Sequence, residues 1–464
     1  MRDCLHFCGS VQLGRQRVLA QDTLSQRRAP RPYGSSSVPR RWPQTAGHLL
    51  RVVAARRGGI RSGRGHRPLF PRPGSLLRSP RGQFQWSRTL LSGAFSLSRV
   101  EGAVLGPVEG VLADKLGPRR MVLFGFLILG AGFILFSLIQ NAPAFYLTYL
   151  LIAVGAGLGG FIPIMAAVNN WFVRRRSTAI AIAQTGTNVG GLLVPALAWG
   201  IATHGWRATA VGLGIFVLAL AIPVSRAIRN RPEEYGQRPD GLPATVATTQ
   251  APLQITRPAA DFTLGQAIRT PAFWYITASH GFSALVSTTM AVHVIPFFTD
   301  VGLSLELAGT VVATYTAVGI AFQLVGGFLG DRVSKRVGIC LFTAIQASAL
   351  LVAALAQNAY LAFLFAVLYG IGFGGRNPLL IAIRGDYFGR KAFATILGAS
   401  MLPMNILMIA GPLATGYLFD SLGSYTVPFI GMAALNIVGA ALILLARRPT
   451  PAPTVGKRAA GAAP

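Results

Sequence analysis

Eleven long apolar segments constrain this chain more than any other feature. They run over residues 89–112, 121–140, 144–169, 177–201, 207–227, 272–297, 307–330, 337–357, 359–383, 393–418 and 424–445. A helix needs about 20 predominantly apolar residues to cross a bilayer, and every segment reaches that length. Of 464 residues, 52% are hydrophobic and 12% charged, whereas soluble domains carry about 25% charged residues. One soluble core also stops growing near about 250–300 residues. The expected fold class is therefore an all-α polytopic membrane protein.

The loops sort by charge. One set holds DKLGPRR (114–120), VRRRS (173–177), the stretch 227–271 with Arg229, Arg231 and Arg238, DRVSKR (331–336), GRK (389–391) and Arg447–Arg448. The alternate set holds QNAPA (140–144), THGWR (203–207), TDVGLSLE (299–306), QNA (357–359) and DSLGS (420–424). Bases collect on the cytoplasmic side of membrane proteins, so the first set is assigned there. Residues 230–271 form the one long internal connection. Their Pro-, Thr- and Gln-rich middle reads as a linker, and DFTLGQAIRTPAFW (261–274) as the possible start of an amphipathic surface helix.

The segments on either side of this linker repeat. GAGLGGFIP (155–163) matches GIGFGGRNP (370–378), NNWFVRRRSTA (169–179) matches GDYFGRKAFA (385–394), and GVLAD (110–114) matches GFLGD (327–331), at offsets of 215–217 residues. A constant offset of this size marks an internal duplication. Two parallel six-helix repeats are expected, residues 84–229 and 272–448, followed by a cytoplasmic tail at 449–464.

On these residues the chain resembles the major facilitator superfamily. The signature G-x-L-x-D-R/K-x-G-x-R/K-R/K is met by Gly110, Leu112, Asp114, Lys115, Gly117, Arg119 and Arg120, with an echo at Gly327, Leu329, Asp331 and Arg332. NNWFVRRRSTA, HGWR (204–207), RPEEYGQRPDG (231–241) and RGDYFGRKAFATILG (384–398) are similar to the bacterial monocarboxylate-transporter and oxalate/formate-antiporter branches. The resemblance spans about 84–448. It implies alternating access by rocking of two halves around a midplane site, and a multi-pass monomer in the bacterial inner membrane. It also implies that the motif acids latch a gate. Asp114 ends a helix at the cytoplasmic side, where it can pair with bases or face a neighbouring helix N-terminus, which carries partial positive charge.

Ionisable groups inside a membrane are functional candidates. Arg376, deep in GIGFGGRNPLL, is the first choice for binding an anion, and its first-half counterpart is Phe161. Arg99 is a second candidate ligand. Glu101 is a candidate proton carrier, because burial favours a protonated carboxyl. Arg99 and Glu101 lie about 200° apart around one helix and cannot pair. His293 titrates in a range suited to coupling. Polar candidates on cavity helices are Asn169, Gln184, Asn188, Tyr315, Gln323 and Asn405, the last equally suited to helix packing. Within the resemblance, carboxylate transporters place a base in the eighth or eleventh helix; 307–330 and 393–418 contain none before their cytoplasmic ends.

The repeat predicts a first spanning helix at 55–83, where the chain instead reads ARRGGIRSGRGHRPLFPRPGSLLRSPRGQ. Arginine at a membrane centre costs about 2.5–3.5 kcal/mol per residue, which excludes a span here. Residues 1–82 hold 17 Arg, no Lys and two acids, a net charge of +15 that leaves +14 of the chain's +29 for the rest. Segment 1–83 is expected to be a frameshift or start-site artefact, with an organelle transit peptide as the alternative. About eleven spans then remain.

Cys4, His6 and Cys8 lack a second ligand pair at zinc spacing, and Cys340 reads as a small core residue. No aromatic-spaced basic patch points to nucleic acid. No phosphate loop points to ATP, and no catalytic elbow or metal box to an enzyme. The expectation is a secondary transporter of a small organic anion, proton-coupled or exchanging, without cofactor, acting on a small-molecule substrate. Drug or sugar efflux in the same fold is the alternative, and a non-transporting truncated product a third reading.

Overall fold

In a computed structural model, residues 88–190, 194–241 and 261–450 are described, and no β-strand occurs among them. The first part of the chain is helical through α1 (Arg88–Leu116), α2 (Pro118–Ser137), α3 (Ala142–Gly159), α4 (Phe161–Trp171), α5 (Arg176–Gly190) and α6 (Val194–Ala227). After the linker come a short α7 (Leu264–Ile268) and then α8 (Pro271–Asp300), α9 (Leu305–Gly330), α10 (Lys335–Ala354), α11 (Ala359–Phe388), α12 (Phe393–Leu422) and α13 (Thr426–Leu445). The expected first helix at 55–83 and the Cys4–His6–Cys8 stretch lie outside the described residues.

Nine stretches among the described residues are long and apolar enough to span a bilayer. Helices α3 and α4 make up one of them, Ala142–Trp171. Helix α1 is absent from the nine; it carries Arg88, Arg99, Glu101, Glu109, Asp114 and Lys115. Helix α6 bends sharply at Gly205, where φ is 81°. The bend divides α6 into a short first part and a longer second part. The expected segment 177–201 falls on α5, 15 residues long, and the start of α6, and α5 is also absent from the nine.

The outer turn at Gly205 is stapled. Arg207 donates to the carbonyls of Ser137 at 3.0 Å and Ile139 at 3.1 Å, and the neighbouring Trp206 packs edge-on to Phe136. The HGWR tetrad thus ties the end of α2 to the bend of α6. The repeat is also visible in capping. Asn141 accepts from Ala144 N–H at 2.9 Å and Asn358 from Leu361 N–H at 3.0 Å, at the starts of the repeat-equivalent helices α3 and α11. These side chains satisfy amides that the first helical turn leaves unpaired.

Two seams join the halves. Helix α1 runs along α12, and α9 runs along α5. The 217-residue repeat exchanges one seam for the other. Small residues set the distance, as expected where lipid offers no hydrophobic drive and close backbone approach must supply the attraction. A Cβ on Gly110 would strike the Ala394 carbonyl and lie 2.8 Å from Thr395 Cα. A Cβ on Gly327 would lie 2.5 Å from the Ala181 Cβ and 2.8 Å from the Ser177 carbonyl oxygen. The motif glycines are the points where the halves touch. Apolar packing around them includes Ala113, Met121, Ile162 and Ile180 from one half and Ile381, Phe393, Ala394 and Leu397 from the other.

Candidate functional site

At the end of the first seam the Asp114 carboxylate receives three hydrogen bonds from the start of α12. Ala394 N–H donates at 3.2 Å, Thr395 N–H at 2.7 Å and the Thr395 hydroxyl at 2.7 Å. At the end of the second seam Asp331 receives Ser177 N–H at 2.8 Å and Thr178 N–H at 3.0 Å from the start of α5. Each motif acid therefore caps the N-terminus of a helix belonging to the other half. Free amides and the positive helix end make that position an anion site. Charge-assisted bonds of this kind contribute about 1.5–3 kcal/mol each.

The basic members of the motif have a different placement. Lys115, Arg119 and Arg120 are exposed. Gly117 turns the chain with φ 83°, and Arg119 N–H donates to Asn230 Oδ1 at 3.0 Å. Arg332 is exposed and lies over the Phe328 ring.

A third tie across the halves was not anticipated. Asp386 at the end of α11 takes Arg176 Nη1 at 2.5 Å on one oxygen and Lys335 Nζ at 2.7 Å on the other. Arg176 begins α5 and is buried, so an acid of one half holds a desolvated arginine of the other. The sequence placed Asp386 in the repeated loop motif but did not show that its partners come from two halves.

The linker is similarly more than a spacer. Asp240 accepts from the amides of Val173, Arg174 and Arg175 at 2.9–3.4 Å. Asp261 accepts from Arg390 and Lys391 amides at 2.8 and 3.1 Å. These two loops are equivalents in the repeat. Arg390 also donates to the Asn170 carbonyl at 2.9 Å and pairs with Glu233 at 2.7 Å. Burial pushes the Glu233 carboxyl up, but backbone hydrogen bonding and Arg390 outweigh it and hold the group below its ordinary value. The Glu233 carboxylate is thus charged at neutral pH.

The intramembrane candidates divide. Arg376 is 1% exposed. It donates to Gln346, to the Ser283 carbonyl and Ser287 hydroxyl at 3.1 Å each, and Asn436 donates to the same Gln346 at 3.0 Å. All these partners belong to α8, α10 and α13. The guanidinium expected on the cavity wall is turned into the packing of its own half, where amide and hydroxyl acceptors are available. Tyr315 packs edge-on to Tyr369, 5.2 Å between centroids. His293 lies 3.1 Å from the Pro412 carbonyl and 3.3 Å from the Tyr425 hydroxyl, also within one half.

Other candidates do meet between halves. Gln323 donates to Gln184 at 3.2 Å across the α9–α5 seam. Asn169 is fully buried, and a Cβ on Gly385 of α11 would strike its Oδ1. Asn405 is half-buried on α12. Glu101 is buried, with Oε1 unpartnered among the described residues. Glu109, two turns further along α1, is buried in the same condition and was missed by sequence reasoning. It sits against Gly157, whose added Cβ would collide with it. The side chains of Arg99 and Asn188 lie outside the described residues.

Comparison with known proteins decides the family. A model described as Major Facilitator Superfamily matches residues 76–304 and 279–464. The chain belongs to the major facilitator superfamily. It is 24% identical over 344 residues to monocarboxylate transporter 13 of Rattus norvegicus, covering 73% of this chain and 75% of that one. It is 26% identical over 301 residues to the oxalate:formate antiporter of Oxalobacter formigenes, covering 64% and 68%. A superfamily transporter solved in the outward conformation, FucP, matches with a TM-score of 0.62 at 14% identity, over 79% of this chain and 92% of that one. A human organic anion transporter matches with a TM-score of 0.55 at 16% identity, over 76% and 84%. These structures share the fold. The protein is a multi-pass superfamily transporter.

Proposed function

We propose that the protein is a secondary active transporter of a small organic anion, working by alternating access. The observation that carries the reading is the reciprocal capping at the cytoplasmic ends of the two seams. Asp114 and Asp331 each hold a helix N-terminus of the opposite half, and Asp386 adds a charged tie between them. Such contacts close one face, and they can break together if the halves rock. Substrate then enters from the outer side in this state and leaves to the cytoplasm when the caps release.

An anionic substrate is supported by the relatives' names and by the charges inside the C-terminal half. Helices α8 to α13 bury Arg376 and Arg384, each 1% exposed, and no ion pair reaches either among the described residues. Glu101 and Glu109 on α1 supply buried carboxyls that can carry a proton. The bilayer in this reading is the bacterial inner membrane.

Uptake by the purified chain in proteoliposomes tests this. Labelled oxalate, formate and lactate should each be offered under an inward proton gradient and against internal unlabelled anion. Saturable uptake of at least one, accelerated by either condition, is expected. No anion uptake under either condition contradicts the proposal.

A further inference from the structure

Among the described residues, Arg384 is a buried cation that no ion pair reaches. It is 1% exposed, eight residues beyond Arg376 on α11. Nη1 donates to the Leu380 carbonyl of its own helix and lies 3.2 Å from His280 Nδ1 on α8. Nη2 has no partner among the described residues. Arginine does not give up its proton in proteins. A charge kept in this environment costs several kcal/mol unless something pairs with it.

The surrounding helices offer no acid to do so. In α8 the one acid is Asp300, the last residue, and in α9 it is Glu306 in the first turn, with Asp331 beyond the end. Helix α11 has Asp386, already held by Arg176 and Lys335. Helix α12 has Asp420 near its outer end, and α10 and α13 have none. Arg376 differs, because three neutral acceptors from two other helices surround it.

The geometry also fixes what His280 can do. A guanidinium has hydrogens and no acceptor, so the facing Nδ1 must be the bare nitrogen of a neutral imidazole. The ring proton then sits on Nε2, a second donor. Unlike Arg384, His280 retains part of its surface exposed. The adjoining Gly385 packs directly on Arg176 and Asn169 of the other half. Asn169 is fully buried and leaves both amide atoms without a partner among the described residues. Asn169 thus sits against the residue next to Arg384 on α11.

We propose that Arg384 and His280 form an anion subsite on the cytoplasmic side of the midplane, taking a carboxylate or similar small oxyanion as the halves separate. It lies about 12 Å from Arg376 along α11 and about 6 Å from that helix's cytoplasmic end, at 1.5 Å per residue. The inference rests on the anion-transport reading, and names a station on that path.

The test uses the purified full chain and direct titration with oxalate, formate and lactate. Wild type should bind at least one, and Arg384→Gln should weaken that anion by about 10- to 100-fold, the range for a charge-assisted contact. Arg384→Lys should recover part of the loss, and His280→Gln should lose less than Arg384→Gln. Equal affinity in wild type and a folded Arg384→Gln overturns the subsite and leaves anion transport standing. If wild type neither binds nor transports any of the three, both readings fall. If Arg384→Gln aggregates, phenylglyoxal modification of wild-type Arg384, read by mass spectrometry, takes its place. Slower modification with anion present supports the subsite, and an unchanged rate overturns it.

Discussion

Asp114 and Asp331 do across a seam what a capping side chain does within one helix. Both oxygens of each carboxylate meet amides that the helix itself cannot satisfy. Asp114→Asn keeps the shape but removes the charge and one acceptor. It should shift the equilibrium toward the open cytoplasmic face by about 1–2 kcal/mol, the scale of a partly buried helix-end charge. Turnover should then fall more than substrate affinity, seen as a drop in kcat with little change in KM. Equal kcat would remove the latch role. Glu101→Gln and Glu109→Gln address coupling instead. If these buried carboxyls carry the proton, each variant should lose gradient-driven uptake while retaining anion exchange. Loss of both activities together would point to a structural role. The two aspartates were legible because each ends an apolar segment and recurs at the repeat distance. Glu109, His280 and Arg384 were not. Arg384 opens a motif read for its resemblance alone, Glu109 and His280 stand among small residues, and the significance of all three comes from what other helices place beside them, which one-dimensional pattern does not show.

At the scale of elements, the apolar segments predicted helix order because bilayer thickness imposes a length, and nine stretches among the described residues are long and apolar enough to span. Breaks inside them were harder to see. The α3–α4 break at Gly160 and the turn at Gly205 both occur at glycines, residues that recur along these helices without breaking most of them. The linker shows a different limit. Its composition marks it as a connection, yet Asp240 and Asp261 bind two loops that the repeat makes equivalent. Amide capture by a carboxylate leaves no periodicity. Asp240→Ala should free the 229–241 stretch, which limited proteolysis of the purified protein would register as faster cutting there. An unchanged cleavage pattern would mean that the Trp171 bond to the Arg229 carbonyl, at 2.9 Å, and the Trp171–Tyr235 ring contact hold the linker without it.

For the whole molecule, the duplication explains why the two seams are built from so few kinds of residue. One acid, one glycine and one helix start, written twice, produce two seams that are copies of each other. The Arg176–Asp386–Lys335 tie breaks that symmetry and adds charge between the halves. The architecture was readable from the repeat, while the direction of Arg376 was not, because side-chain orientation depends on which neighbours offer acceptors. The central claim is that the paired aspartate caps hold the cytoplasmic face shut. The most direct measurement is a spin-label distance across that face, with labels at Arg120→Cys and Val337→Cys. Both sites are exposed, one in each half, and Cys4, Cys8 and Cys340 would be replaced by serine. With Asp114 and Asp331 intact the distribution should be dominated by one short distance. In the Asp114→Asn, Asp331→Asn double variant a longer distance should become populated, and the same short distribution in both proteins would contradict the account.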